Sequence, residues 1–373
     1  MTAAQPRSTF LSALHERLGA RMVDFAGWRL PLQFSGIVAE HNQVRTAAGL
    51  FDVSHMCQFA LTGSDRVANA QRLLPIDAAA LKPGRNKYTF MCNEQGGVID
   101  DLVIGNDGER LFVVCNAARA ERVLAHVTEH LHGACALERL ADRALLALQG
   151  PQAAALIAKL APEAEQLFFM DSLCSRIADS EVRICRCGYT GEDGFEISAD
   201  GSAAVALAEQ LIADGAAPAG LGARDLLRIE AGLCLYGNEL DEQTNPVAAG
   251  LAWSISPRRR REGGFIGDQA VLAMLAEGSR RQLVGLSVQG RLPLRRGAKL
   301  DCGNQAAVGE VTSGGWSPVL EKPVAIAFVE SAAAKAGTQL AALVRDKSIE
   351  CEVVSLPHVA HNYKIRPRKP AGN

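Results

Sequence analysis

Short apolar runs of period two alternate with helical repeats along the first two thirds of the chain. Residues 51–61, rich in Phe and Val, predict a strand, and residues 66–74 predict a helix stopped by Pro75. Residues 101–104 and 111–115 are β-runs joined through Asn106-Asp107-Gly108, a hairpin signal because both turn residues tolerate positive φ. Asn116 can then cap a helix running to about His132, with Gly133 as its stop; Val123, Leu124, Val127 and Leu131 fall on one face of it. Residues 145–148 predict a strand, and Gly150-Pro151 opens an Ala-rich helix. Residues 182–187 and 195–198 predict strands bracketing the loop 190–194, followed by helices over 203–213 and 223–231.

Beyond this the pattern changes. Four arginines, Arg258 to Arg261, precede Gly263-Gly264 and predict a solvated linker. One helix over 268–276 follows, and then strand-like runs at 283–288, 308–312, 324–329 and 351–354, spaced by Gly, Pro and Asn. These predict a small β-sandwich or barrel. The expected division is 1–257 as an α+β region of two subdomains, 258–264 as linker and 265–373 as a β-rich domain. The basic, proline-bearing tail 366–373 predicts a frayed end.

Composition narrows the function classes. The chain has 373 residues, enough for two or three domains with cores of their own. Aromatics are 5%, so the cores must rest on Ala, Leu, Val and Ile. A net charge of -2 lacks the basic excess of a nucleic-acid binder. No apolar run spans a bilayer and residues 1–11 lack a secretory h-region, so a cytoplasmic protein is expected. Ten scattered cysteines without a CxxC pair predict reduced, mostly buried thiols.

The familiar catalytic signatures are missing. Gly220-Leu221-Gly222 lacks the third glycine of a dinucleotide fingerprint, and there is no P-loop, HExxH or Gly-x-Ser-x-Gly. His41 and His55 stand alone. His126 and His130 lie one helical turn apart, but the sequence shows no carboxylate or Cys to complete a zinc set, so no metal is expected.

Three charged clusters remain. In Gly96-Gly97-Val98-Ile99-Asp100-Asp101-Leu102-Val103 two acids interrupt a β-branched run, and a charge at a buried strand is paired or functional. Neighbours on a strand point to opposite faces, so only one of Asp100 and Asp101 should reach a given cavity; turn capping and catalysis both remain open. Glu196 lies between two apolar residues in Phe195-Glu196-Ile197 and wants a donor. Asp225 suits the start of its helix whereas Arg224 does not, which points to a specific partner, a salt bridge to Glu196 being the plain explanation.

Together these segments resemble the tetrahydrofolate-dependent aminomethyltransferases, the T-proteins of the glycine cleavage system. The resemblance runs from Arg21 to Val329. It rests on residues 20–28 with Pro31, 45–56, 96–103, 148–151, 188–196, 220–232, 235–242, 265–267, Thr312-Ser313-Gly314 and Ser317-Pro318, in that order. It implies three domains around a central folate-binding channel, with no metal. It implies transfer of the methylene carbon of an aminomethyl group from lipoylated H-protein to tetrahydrofolate, giving 5,10-methylenetetrahydrofolate, ammonia and dihydrolipoyl H-protein. It assigns catalysis to Asp100, folate contacts to Glu196 and Arg224, and channel lining to Met56, Tyr88, Asn116, Tyr189 and Tyr236, with Tyr363 matching some members. The alternative is a tetrahydrofolate-dependent demethylase of a small methylated substrate. The arginine run is the most concentrated positive patch for an acidic partner protein.

Overall fold

In the computed structural model, residues 5–303, 307–344 and 347–367 are described; of the tail expected to fray, residues 368–373 lie outside them. Two large sheets, a small three-stranded one ordered Arg7–Ser8, Trp28–Gln33 and Arg21–Phe25, and a barrel carry the architecture. One sheet has six strands, ordered Ser172–Ile177, Ser180–Cys185, Gly194–Asp200, Arg143–Gln149, Gly49–Asp52 and Ala217–Pro218. The second has five, ordered Arg85–Cys92, Val98–Asn106, Leu111–Cys115, Cys57–Thr62 and Ala136–Arg139.

The alternation of side chains decides what each face meets. In Arg143–Gln149, Leu146 and Leu148 join a core beneath helices Ala153–Ala158 and Gly201–Ala213, while Leu145 and Ala147 turn towards the other sheet. In Leu111–Cys115, Val113 and Cys115 pack under helices Arg66–Leu73 and Ala120–His130, while Phe112 and Val114 face back across the gap. The two sheets thus share an interface of Phe51, Val53, Phe112, Val114, Leu145 and Ala147. Strands apolar on both faces, such as Arg143–Gln149, are what a sheet covered on both sides requires.

The C-terminal part closes into a six-stranded barrel, ordered Arg281–Val288, Lys322–Glu330, Ala307–Ser317, Lys299–Asp301, Gln339–Val344 and Lys347–Val354. The apolar runs foretold four of its strands. Lys299–Asp301 and Gln339–Val344 were not foretold, the first being three residues long with a single buried side chain, Leu300. Closure leaves no edge to protect.

The region expected as one strand over 51–61 is two, Gly49–Asp52 and Cys57–Thr62, which belong to different sheets. The arginine run also departs from expectation. It is the helix Pro257–Glu262, with proline in its first turn, rather than a solvated linker. Arg259 is buried and donates from Nη2 to the Gln71 carbonyl at 2.6 Å. Arg258 spans Glu262 at 2.8 Å and Asp77 at 3.3 Å. A run of good helix formers keeps charge in water while its aliphatic stems cover apolar surface, which charge counting alone does not reveal.

Candidate active site

Strand parity selects the site. On Val98–Asn106, Leu102 and Ile104 face the helix-covered core, so Asp100 points with them and Asp101 points with Val103. On Gly194–Asp200, Phe195, Ile197 and Ala199 face their own helix-covered core, so Glu196 and Ser198 face the gap. A small cavity of about 10 Å³ between the sheets is lined by Val103, Phe112, Val114, Leu145, Arg183, Cys185, Glu196 and Ser198. Asp101 is not among the residues that line it, but strand parity turns its side chain to the same inter-sheet side as Val103, opposite the sheet that carries Glu196.

Asp100 is completely buried and accepts from the Asn116 backbone N–H and from Asn116 Nδ2, both at 2.9 Å. Asp101 is partly exposed; it accepts from the same Nδ2 at 2.9 Å and from the Tyr88 hydroxyl at 3.0 Å. The two acids meet at one amide although they are strand neighbours. The strand pairing explains it: Asp100 opposes Met91 while Val98 opposes Cys92, so Ile99 is an extra residue in a β-bulge. A bulge re-aims side chains beside it. Asn116 accordingly does not cap the following helix, which begins as a 3-10 turn at Ala117.

The electrostatics follow from this packing. Burial raises Asp100 well above the ordinary carboxylate range, and the Asp101 charge adds to it. Burial raises Asp101 to about 6, with the Tyr88 and Asn116 donors holding it down. Asp101 is therefore mostly ionised at neutral pH, and Asp100 is the acid that keeps its proton more readily.

Across the cleft, the Arg224 guanidinium lies 4.6 Å from the Tyr189 ring centroid. The salt bridge to Glu196 expected from sequence does not form among the described residues; Arg224 senses the Glu196 charge, but its buried Nη1 has no hydrogen-bond partner. Tyr189 donates its hydroxyl to the Cys234 carbonyl and lies in the fields of both Asp101 and Arg224, which ties the two walls together. Met56 packs on the inter-sheet core. His55, next to it, is driven by burial and then by the Arg224 charge down to about 4, so it is neutral.

Tyr236 donates to the Val98 carbonyl at 3.1 Å beneath the Arg119 guanidinium, 4.7 Å from its ring. Tyr363 stands apart from these groups. Its ring stacks on Phe169 at 4.0 Å, and Asn362 beside it is held by the Gly191 carbonyl at 2.8 Å and by Glu192 at 2.9 Å. The tail thus braces the loop that leads into the Glu196 strand.

Sequence reasoning missed two features. Trp253, 64% exposed, stacks on Tyr88 at 5.4 Å and 18°, so a solvent-facing aromatic stands behind the Asp101 donor. Its local sequence carries no signal for this. Arg228 and Glu239 form a buried pair at 3.0 Å, and Arg228 also reaches Ser313 on the barrel at 2.5 Å. Both lie within the quoted motifs, but only the fold brings them together. All ten cysteines are free, with Cys174 and Cys302 exposed. No helix among the described residues is long and apolar enough to cross a membrane.

The GCVT N-terminal domain matches residues 11–259, and the glycine cleavage T-protein C-terminal barrel domain matches residues 281–359. A protein of Synechococcus elongatus named aminomethyltransferase is 43% identical, over 96% of this chain and 98% of its own. The mitochondrial aminomethyltransferase of Dictyostelium discoideum is 40% identical, over 96% of this chain and 94% of its own. The crystal structure of the glycine cleavage system aminomethyltransferase T from Bartonella henselae superposes with a TM-score of 0.93 at 41% identity, over 96% of this chain and 99% of that one.

Proposed function

From the premise that this chain belongs to the glycine cleavage T-protein family of aminomethyltransferases, and is a transferase of that system, we propose that its acceptor is tetrahydrofolate and its donor the aminomethylated lipoyl arm of H-protein. The observation that carries the acceptor is the unpartnered Arg224 Nη1 beside Glu196 and Tyr189, on the wall facing Asp101. A buried guanidinium left unsatisfied costs stability unless a ligand completes it. The pterin edge offers an N3–H and an amino group, for which the Glu196 carboxylate is a bidentate acceptor. The flat ring suits Tyr189, with Met56 and Val114 as apolar walls.

The chemistry asks for a negative charge beside a carbon that turns cationic. The methylene group loses its bonds to sulfur and to the amine and gains bonds to N5 and N10 of the acceptor, with no net oxidation. Ammonia and the dihydrolipoyl thiol leave. Asp101, ionised and facing the cleft, stabilises the iminium character and takes the proton from the attacking nitrogen. Asp100 acts from behind, fixing Asn116, which in turn orients Asp101. This assigns the reacting role to Asp101 where the resemblance alone pointed to Asp100. A cytoplasmic location is part of the same reading, in keeping with ten free thiols. The demethylase alternative is not favoured, since the relatives are named aminomethyltransferases.

The decisive assay supplies aminomethylated H-protein and measures ammonia release with and without tetrahydrofolate. Strong dependence on both components is expected; release without folate, or none with both, overturns the reading. Glu196→Gln should weaken tetrahydrofolate about tenfold to a hundredfold, the worth of a charge-assisted pair of hydrogen bonds, and change kcat little. Calorimetry returning wild-type affinity would reduce Glu196 to a neighbour of Arg224.

A further inference from the structure

A second constellation lies outside the cleft, on the helix Ala120–His130. His126, Glu129 and His130 each offer one ligand atom, and these atoms lie within 4.8 Å of one another. The expectation that no carboxylate joins the two histidines therefore needs correction. A helix brings residues i, i+3 and i+4 onto one face, and Glu129 is the i+3 member. The imidazoles are 4.5 Å apart, centroid to centroid, tilted by 48°.

One observation beyond the spacing points to a ligand there. His126 is only 4% exposed, yet its Nε2 has no hydrogen-bond partner among the described residues. An orphaned imidazole nitrogen in a buried setting wants a hydrogen-bond partner or, in the tautomer that leaves its lone pair free, a Lewis acid. His130 is already oriented, because its Nδ1 sits 2.8 Å from the His126 carbonyl as a donor. That bond fixes the tautomer with Nε2 as the free lone pair, the usual second contact of a metal-binding histidine.

We propose that His126, Glu129 and His130 form a binding site for a divalent transition metal ion, Zn²⁺ or a chemically similar one. Metal–nitrogen and metal–oxygen bonds of about 2.0–2.2 Å place tetrahedral ligand atoms roughly 3.4 Å apart, so modest side-chain rotations close the present arrangement. Two imidazoles and one carboxylate leave a coordination position for solvent. They suit zinc, cobalt or nickel rather than calcium or magnesium, which prefer all-oxygen shells. The surrounding charges permit it. Arg122 faces His126, but it is held by Glu242 at 3.3 Å, and Glu242 also takes Arg119.

The test is a Co²⁺ titration of tag-free, full-length protein, followed by visible absorption and by Zn²⁺ competition calorimetry. The expected result is one saturable site with d–d bands and no thiolate-to-cobalt charge transfer, since no cysteine belongs to the set. His130→Ala, a less buried position, should weaken Zn²⁺ at least tenfold while keeping wild-type circular dichroism. Glu129→Gln should weaken it several-fold. Zn²⁺ should raise the wild-type Tm and leave that of His130→Ala unchanged. Absence of a saturable Co²⁺ spectrum, a thiolate charge-transfer band, or unaltered affinity in His130→Ala would each overturn the proposal. Because none of these readouts involves aminomethyl transfer, the result is independent of the assignment of the cleft.

Discussion

Asp101→Asn should reduce kcat for aminomethyl transfer by about 100- to 10,000-fold, the range for a positioned acid–base group, while tetrahydrofolate affinity stays within a few-fold of wild type. The side chain keeps its volume and can still accept from Tyr88, so the loss isolates the charge. The same charge predicts the pH profile. With Asp101 near 6, turnover should fall as the pH drops through that value, because protonation removes the anion facing the reacting carbon. Stability should run the other way. A carboxyl whose folded pKa is raised binds more protons folded than unfolded between about 4 and 6, so stability declines as pH rises through that window. Asp101→Asn should therefore be more stable than wild type at neutral pH, by roughly 1–2 kcal/mol once partial exposure is discounted. Asp100→Asn should lose about tenfold in kcat by loosening Asn116. Steady-state kinetics of both variants across pH, with thermal melts, check the set. A nearly normal Asp101→Asn beside a crippled Asp100→Asn would return the reacting role to Asp100.

The largest effect on stability is expected at Arg228→Met. Arg228 is 1% exposed and donates to Glu239 at 3.0 Å, Asp225 at 2.9 Å, the Leu233 carbonyl at 3.2 Å and Ser313 at 2.5 Å. Ser313 belongs to the barrel strand Ala307–Ser317 and itself donates to Glu239 at 2.6 Å. The arginine thus joins the helix Leu221–Glu230 to the barrel through a carboxylate that is also buried. Methionine fills most of the volume but leaves Glu239 without its counter-charge. Breaking a buried pair from one side costs about 3–5 kcal/mol, a large share of a typical folding free energy. Urea unfolding should show it, and Glu239→Gln in the same background should recover part of the loss, because the stranded charge is then gone. A shift under 1 kcal/mol would mean that water reaches Glu239 and the junction is not sealed. Since this helix also carries Arg224, the variant should weaken tetrahydrofolate as well.

How far the residues themselves reached differs from element to element. The period-two runs 145–148, 182–187 and 195–198 and the apolar face of 123–131 pointed to strands and helices at those places, since local periodicity is written in consecutive residues. The ordered motifs pointed to the family, and the C-terminal runs to a β-sandwich or barrel, of which the structure has the closed barrel. Composition could not separate the two halves of the run 51–61, because strands of two different sheets read alike when both are buried. The parity of the acid pair was illegible for a related reason. Leu102, Val103 and Ile104 are apolar on both faces, so nothing local marks which face is the cleft, and the bulge at Ile99 exists only as a register between two strands. Tertiary structure decided that Asp100 is fully buried while Asp101, held by the Tyr88 hydroxyl, keeps partial exposure. It also left Arg224 without the Glu196 salt bridge and made Arg259 a buried anchor. Each of these depends on how distant segments pack, or on where a side chain turns within that packing. The chain order of residues carries such information only through the fold as a whole.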